Sequence, residues 1–233
     1  VYNQQLYDVE RISAHAFYNC RNLKSVSIPK TVYQIGDYAF YGCSSLQTLA
    51  TSAQFNVFGE YAFAKCTSLI TADIPDGAIG KYAFSECTSL QTVTLGKDVS
   101  EIAERAFLGC TNLKTITTVP NIRTIGRYAF QDCVSLTEFV IPSSVTSIES
   151  STFRNCHSLE KITIHDAVKT IASNAFHNCR SLTGITIPDG VTAIHDYAFN
   201  YCSSLTSIHF KGNAPTFSSK VFSRVTATAY YPA

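Results

Sequence analysis

Cysteine recurs at 20, 43, 66, 87, 110, 133, 156, 179 and 202, and every step is 23 residues except one of 21. Each cysteine closes the same phrase, plainest at Ile35-Gly36-Asp37-Tyr38-Ala39-Phe40-Tyr41-Gly42-Cys43-Ser44-Ser45-Leu46. A fixed period over nearly the whole chain demands a stacked solenoid. One unit is too small to enclose a core, so each covers its apolar face with the next. A repeated column is therefore explained by stacking, and only departures from the columns report on a ligand.

Within one period, Leu23-Lys24-Ser25-Val26-Ser27-Ile28-Pro29 sets apolar residues at relative positions one, four and six, as do Leu90 to Leu95, Leu159 to Ile164 and Leu182 to Ile187. Polar residues at three and five give the alternation of a half-buried strand. Proline at 29, 75, 142 and 188 has no N–H to donate and suits a strand end. One strand per repeat, always entered in the same direction, predicts a parallel sheet along one side. The other side is an Ala-Phe arm, with phenylalanine at 17, 40, 63, 84, 107, 130, 153, 176 and 199. Asp37, Glu60, Glu104 and Ser150 stand three residues before the ring, where a short helix starts well. Asn19, Gly42, Gly109, Asp132 and Asn155 stand two after it and tolerate the left-handed conformation. The arm is therefore expected to be one helical or 3₁₀ turn. The Ser or Asn before each strand leucine, from Asn22 to Ser204, is read as satisfying backbone groups at a corner.

Stacked cysteines stand about 5 Å apart with parallel side chains. An odd number of equivalent thiols gives no rule for choosing a partner, so buried free thiols are the favoured reading. Oxidised neighbours are the alternative. Metal binding is disfavoured, because no C-x-x-C pair or histidine partner stands at ligand spacing.

The phrase I-P-x-x-V-x-x-I-x-x-x-A-F-x-x-C-x-S-L is carried by Ile141-Pro142 through Leu159, with Thr152 in the alanine slot, and by Ile187-Pro188 through Leu205. It resembles the BspA-like, or Treponema pallidum-type, class of leucine-rich repeats over essentially the whole chain. The resemblance implies surface-exposed or secreted proteins with a role in adhesion or recognition, and no catalytic residues. The expected fold is an α/β solenoid: a right-handed leucine-rich repeat coil of about ten turns, one parallel β-sheet face, and short helical or 3₁₀ turns on the convex side.

A single domain is expected over residues 1–233, with a degenerate capping repeat at about 211–233, where Val221-Phe222 takes the Ala-Phe slot and Val225 the cysteine slot. The chain opens at Val1 without a signal peptide, so it is read as a mature chain or a piece of a longer one. Threonine at 51 stands where a buried aliphatic belongs, and Phe55 and Phe58 replace the usual valine and isoleucine. The loop Pro75-Asp76-Gly77-Ala78-Ile79 is two residues short.

A formal net charge of +1 with no Lys/Arg run argues against nucleic acid, and no apolar stretch reaches membrane-span length. No G-x-S-x-G, Walker loop, H-E-x-x-H or G-x-G-x-x-G is present, so no enzyme and no cofactor are expected. The six histidines fall in different columns, with His165 and His209 too many repeats apart to share a metal. Binding is expected on the sheet. Its outward positions form a Ser/Thr carpet in the first half, whereas charges and irregular choices gather in the second. Glu138, Val140, Lys161, His165, His209 and Lys211 are the candidate contacts. The plainer account is that threonine is simply a good strand filler. A second candidate surface is the tyrosine set at 38, 61, 82, 128 and 197, for which core packing or edge covering is the plainer account. The Thr-x-Thr pairs at 92/94 and 115/117 span too few coils for an ice-binding face. The expected function is a monomeric cell-surface or secreted module that binds a protein or glycoconjugate of a host or neighbouring cell. The alternative is a spacer that displays another domain.

Overall fold

The computed structural model describes residues 9–51 and 57–232, with the side chains of Ala50 and Val57 excepted. Phe55 lies outside the described residues. Coils stack by in-register parallel pairing, so residues one period apart face each other: Val26 with Leu49, Glu138 with Lys161, Ile185 with Ile208. Inward positions such as Ile28, Ile74, Val93 and Ile185 are buried, and their outward neighbours are exposed. Each coil adds a second, short strand, for instance Gln34–Ile35, Thr170–Ile171 and Ala193–Ile194, which builds parallel ladders of its own. One strand per repeat is thereby corrected to two. Pro75 does not end its strand either, because Thr71–Ile79 runs through it. With the loop two residues short, the chain has no room to turn away. The irregularity is absorbed as register shifts between Ile74 and Asp76 and between Gly77 and Ala78.

The convex arm is not helical, and among the described residues there is no α or 3₁₀ segment at all. A helix returns every N–H to its own coil, whereas here alternate amides leave it. Tyr38, Phe40 and Gly42 donate to Glu60, Ala62 and Ala64 of the next coil at 2.7–2.8 Å. Ala39, Tyr41 and Cys43 donate back to Gly36, Tyr38 and Phe40 at 3.1–3.3 Å. The alternation requires left-handed backbone at two places per arm. The second is the site two residues after the ring, as expected: Asn19, Gly42, Asp132 and Asn155 have φ of 56–69°. The first is two residues before the ring, where Tyr38, Tyr61, Tyr82, Tyr128 and Tyr197 all have φ of 56–60°. A left-handed L-residue costs about 1–2 kcal/mol, and the bond that all of these except Tyr197 donate to the next coil offsets that cost. Expecting a helix fails because the capping residues were matched to an end of the arm that has no helix before it.

The phenylalanines stack from Phe17 to Phe222 with centroids 4.9–5.5 Å apart and planes within 2–10°. Beside them every thiol from Cys43 to Cys202 donates to the phenylalanine carbonyl of the preceding coil, with Sγ to O of 3.1–3.2 Å. The column thus needs a side chain that is small, apolar and still a weak donor, which is what cysteine offers. All nine thiols are free. Burial raises those of Cys87, Cys110 and Cys133 well above the ordinary value.

The tyrosine column stacks as well: Tyr38 on Tyr61 at 4.8 Å and Tyr61 on Tyr82 at 4.4 Å. Arg105 holds the next slot, its guanidinium 5.3 Å from the centre of Tyr82 and 4.4 Å from that of Tyr128. It donates to the Tyr82 hydroxyl at 2.7 Å and to Glu104. Two residues after the phenylalanine a polar ladder joins the coils: Asn155 donates to Asp132 at 2.7 Å and Asn178 to Asn155 at 2.9 Å. Arg105→Ala is expected to cost about 1–2 kcal/mol, since two cation–π contacts and a hydrogen bond go together. Arg105→Tyr, with the residue that fills this slot in five other coils, is expected to keep the urea midpoint. An alanine variant as stable as the parent would show that the outer stack contributes nothing.

The inner ladder is interrupted twice in the second half of the chain. No ladder joins Thr115–Ile116 to Glu138–Val140, nor Lys161–Thr163 to Gly184–Ile187. At the first break, position six is Thr118 instead of an aliphatic residue, and Ile116, Thr118 and Val119 are all only half-buried.

Candidate binding surface

The candidate residues occupy three adjacent rows of the inner sheet. Glu138 and Lys161 pair in register, with Gly184 and Ser207 continuing their row. Val140, Thr163, Thr186 and His209 form the middle row, and His165 and Lys211 lie on the far side, two residues beyond Thr163 and His209. Two grooves open on this face, and each lies over one of the ladder breaks.

The first groove, about 320 Å³, is walled by Val119, Pro120, Val140, Pro142, Thr163 and His165. It exists because Thr118 does not fill the aliphatic slot. Val140, 53% exposed, forms its open wall. The second, about 460 Å³, has Ile162, Ile164 and Ile185 as floor and Lys161, His209 and Lys211 as rim. It exists because Gly184 brings no side chain where Thr48, Thr71, Thr92 and Thr115 stand in earlier coils. Thr163 belongs to both grooves.

The structure brings Lys161, His209 and Lys211 to one groove, and Val140 and His165 to the other. Glu138 lies beside Lys161 at the apolar end and lines neither. Both nitrogens of His165 are engaged: Nε2 donates to the Pro142 carbonyl, and Nδ1 accepts from the Ala167 N–H at 3.2 Å. That fixes its tautomer and makes it a latch between coils, with only ring surface turned to the groove. His209 is stacked on Tyr230 at 4.6 Å and 9°, which leaves it one free face. Lys211 stands 3.6 Å from Asp166, an exposed pair that costs little to exchange. Among the described residues Lys161 has no ion pair. Thr117 accepts from the Leu95 N–H at 2.8 Å, which ties its hydroxyl oxygen into the sheet.

Gly184 and Thr118 are the residues that sequence reasoning passed over. Each carried a signal, an outward glycine among threonines and an inward threonine among isoleucines. In the tyrosine column, by contrast, Tyr38, Tyr61 and Tyr82 are covered on both faces by neighbouring rings or by Arg105. Tyr128 and Tyr197 carry the cations of Arg105 and Lys220 over one face each. Among the described residues no three His, Cys, Asp or Glu side chains converge as metal ligands. No helix among them is long and apolar enough to cross a membrane.

Buried leucine, isoleucine, phenylalanine and cysteine columns under an in-register parallel sheet define a leucine-rich repeat solenoid. The chain belongs to the BspA-type leucine-rich repeat family: the model of the BspA type leucine rich repeat region, in 6 copies, matches residues 10–136 and 123–230. Among solved structures it is similar to the T. pallidum leucine rich repeat protein, at 27% identity over 76% of this chain and 73% of that one, with a TM-score of 0.54. A leucine-rich repeat protein from Eubacterium ventriosum ATCC 27560 shares the fold at 18% identity, covering 95% of this chain and 84% of that one, TM-score 0.51. A leucine rich cell surface protein from Faecalibacterium prausnitzii A2-165 matches at 26% identity over 100% and 86%, TM-score 0.47. No enzyme family is indicated by these matches. No curated protein matches the chain.

Proposed function

We propose that this chain is a non-catalytic binding module, secreted or displayed at a cell surface, that recognises a protein or glycoconjugate of a host or neighbouring cell. Its contact surface is the second half of the inner sheet. The observation that carries this reading is the pair of grooves at Thr118 and Gly184, two departures from the repeat in the second half of the sheet at which space opens. A stacked solenoid holds such a surface rigid, so little ordering entropy is lost on contact. Family membership supports the surface location, and the module acts as a monomer.

The test is a binding screen against extracellular-matrix proteins, host surface proteins and a glycan array, run beside a Glu138→Lys, Lys161→Glu double variant. Saturable binding that the double variant weakens about tenfold or more, with the fold intact by circular dichroism, is the expected result. The alternative is a spacer that positions another domain, favoured by the unbroken phenylalanine stack along the whole array. Absence of any saturable ligand would decide for the spacer.

A further inference from the structure

The geometry points to a partner of defined chemistry: we propose that the two grooves form one cleft for an extended peptide segment carrying an apolar side chain and, about four residues later, a carboxylate. This rests on the binding reading above and names its partner.

The middle row, Val140–Thr163–Thr186–His209, runs along the solenoid axis with one residue per coil. From the coil of Val119, at the first groove, to that of Gly184, at the second, is three coil spacings, about 14–15 Å. An extended peptide rises about 3.3 Å per residue, so about four residues bridge the two. At one end the half-buried Ile116 and Val119, with exposed Val140, present apolar surface. At the other, Lys161 and Lys211 flank the row from opposite sides of the shelf that Gly184 leaves empty. A carboxylate on that shelf lies between two ammonium groups, within reach of the Thr163 and Thr186 hydroxyls. Lys211 exchanges an exposed pairing with Asp166 for it. Glu138 stands at the apolar end and repels an acid placed there, which sets the peptide's direction. Carbohydrate fits less well, because sugars stack on ring faces and this row has only the one free face of His209.

The test is fluorescence anisotropy of the whole chain with a fluorescein-labelled decapeptide, one leucine and an aspartate four positions later in a Gly/Ser background. Companion peptides carry lysine for the aspartate or serine for the leucine. The informative protein variant is Gly184→Thr. The added Cβ meets the Ser207 hydroxyl at 2.8 Å, a group that can rotate away, and the Ser207 carbonyl oxygen at 3.8 Å, an ordinary contact, so the fold tolerates it. Saturable binding is expected, weakened about tenfold or more by either companion peptide, by Gly184→Thr, and by Lys161→Glu with Lys211→Glu. It should also weaken as salt rises from about 0.05 to about 0.5 M. Binding indifferent to the aspartate, or no peptide binding, overturns the proposal. Capture of a heparin-derived oligosaccharide but no peptide, lost in Gly184→Thr, assigns the cleft to anionic glycans and leaves the binding-module reading standing. A matrix-protein ligand insensitive to Gly184→Thr but lost in the Glu138/Lys161 double variant likewise removes the peptide cleft and spares the module.

Discussion

Phe107→Ala is expected to lower the unfolding free energy by about 3–5 kcal/mol, the range for removing a fully buried ring. Phe107 is wholly buried, and its ring stacks on Phe84 at 5.5 Å and Phe130 at 5.4 Å. Neighbouring coils cannot close the void, because their spacing is set by the amides that Arg105, Phe107 and Gly109 donate to the next arm. In a one-dimensional stack the loss falls on two interfaces, so the variant should also unfold less cooperatively. Phe222→Ala is the control. That ring is only half-buried and stacks on Phe199 in the preceding coil, so its loss should cost about half as much or less. Urea titrations followed by circular dichroism measure both. Equal losses at the two positions would refute the stacked-core account, as would a Phe107→Ala penalty below about 1 kcal/mol.

Thiol labelling should divide the nine cysteines sharply. Reaction needs an accessible thiolate. Cys20, exposed in the first described coil, is expected to label first. Cys43 follows slowly, since burial pushes its pKa from 9.0 to about 11. The seven from Cys66 to Cys202 are buried, and nearly all the thiols there are held in the neutral form. They should react only when coils open, at least about a thousandfold more slowly than Cys20. Timed alkylation at pH 8 with mass-spectrometric mapping reads the order, and all nine should label in urea. Rapid labelling of Cys110 or Cys133 in the native chain would contradict the buried column. Cross-linked neighbours under mild oxidant would favour the disulfide alternative.

Much of this architecture is legible in the residues because a 23-residue period leaves one packing solution. The Phe, Cys and Leu columns are inward, and strand residues one period apart pair. The left-handed site after each ring could also be read, from Asn19, Gly42 and Asp132. The left-handed site before the ring could not, since tyrosine ordinarily avoids that conformation and only the amide's bond to the next coil keeps it there. Reading the arm as helical fails for this reason. The candidate surface divides in the same way. Charged and irregular choices at 138, 140, 161, 209 and 211 marked the half of the sheet where grooves lie. His165 stood in the same set, yet both its nitrogens are tied into the coil.

By itself, the sequence determined that the chain must stack, which columns are buried, and which face departs from the repeat. These follow from periodicity and apolarity, properties each residue carries with it. The tertiary structure alone decided where backbone amides go, where the ladder parts, and which space is left open. Those depend on pairs of coils: an N–H has a destination only when the neighbour is in place, and an absent side chain at Thr118 or Gly184 becomes a groove only between walls.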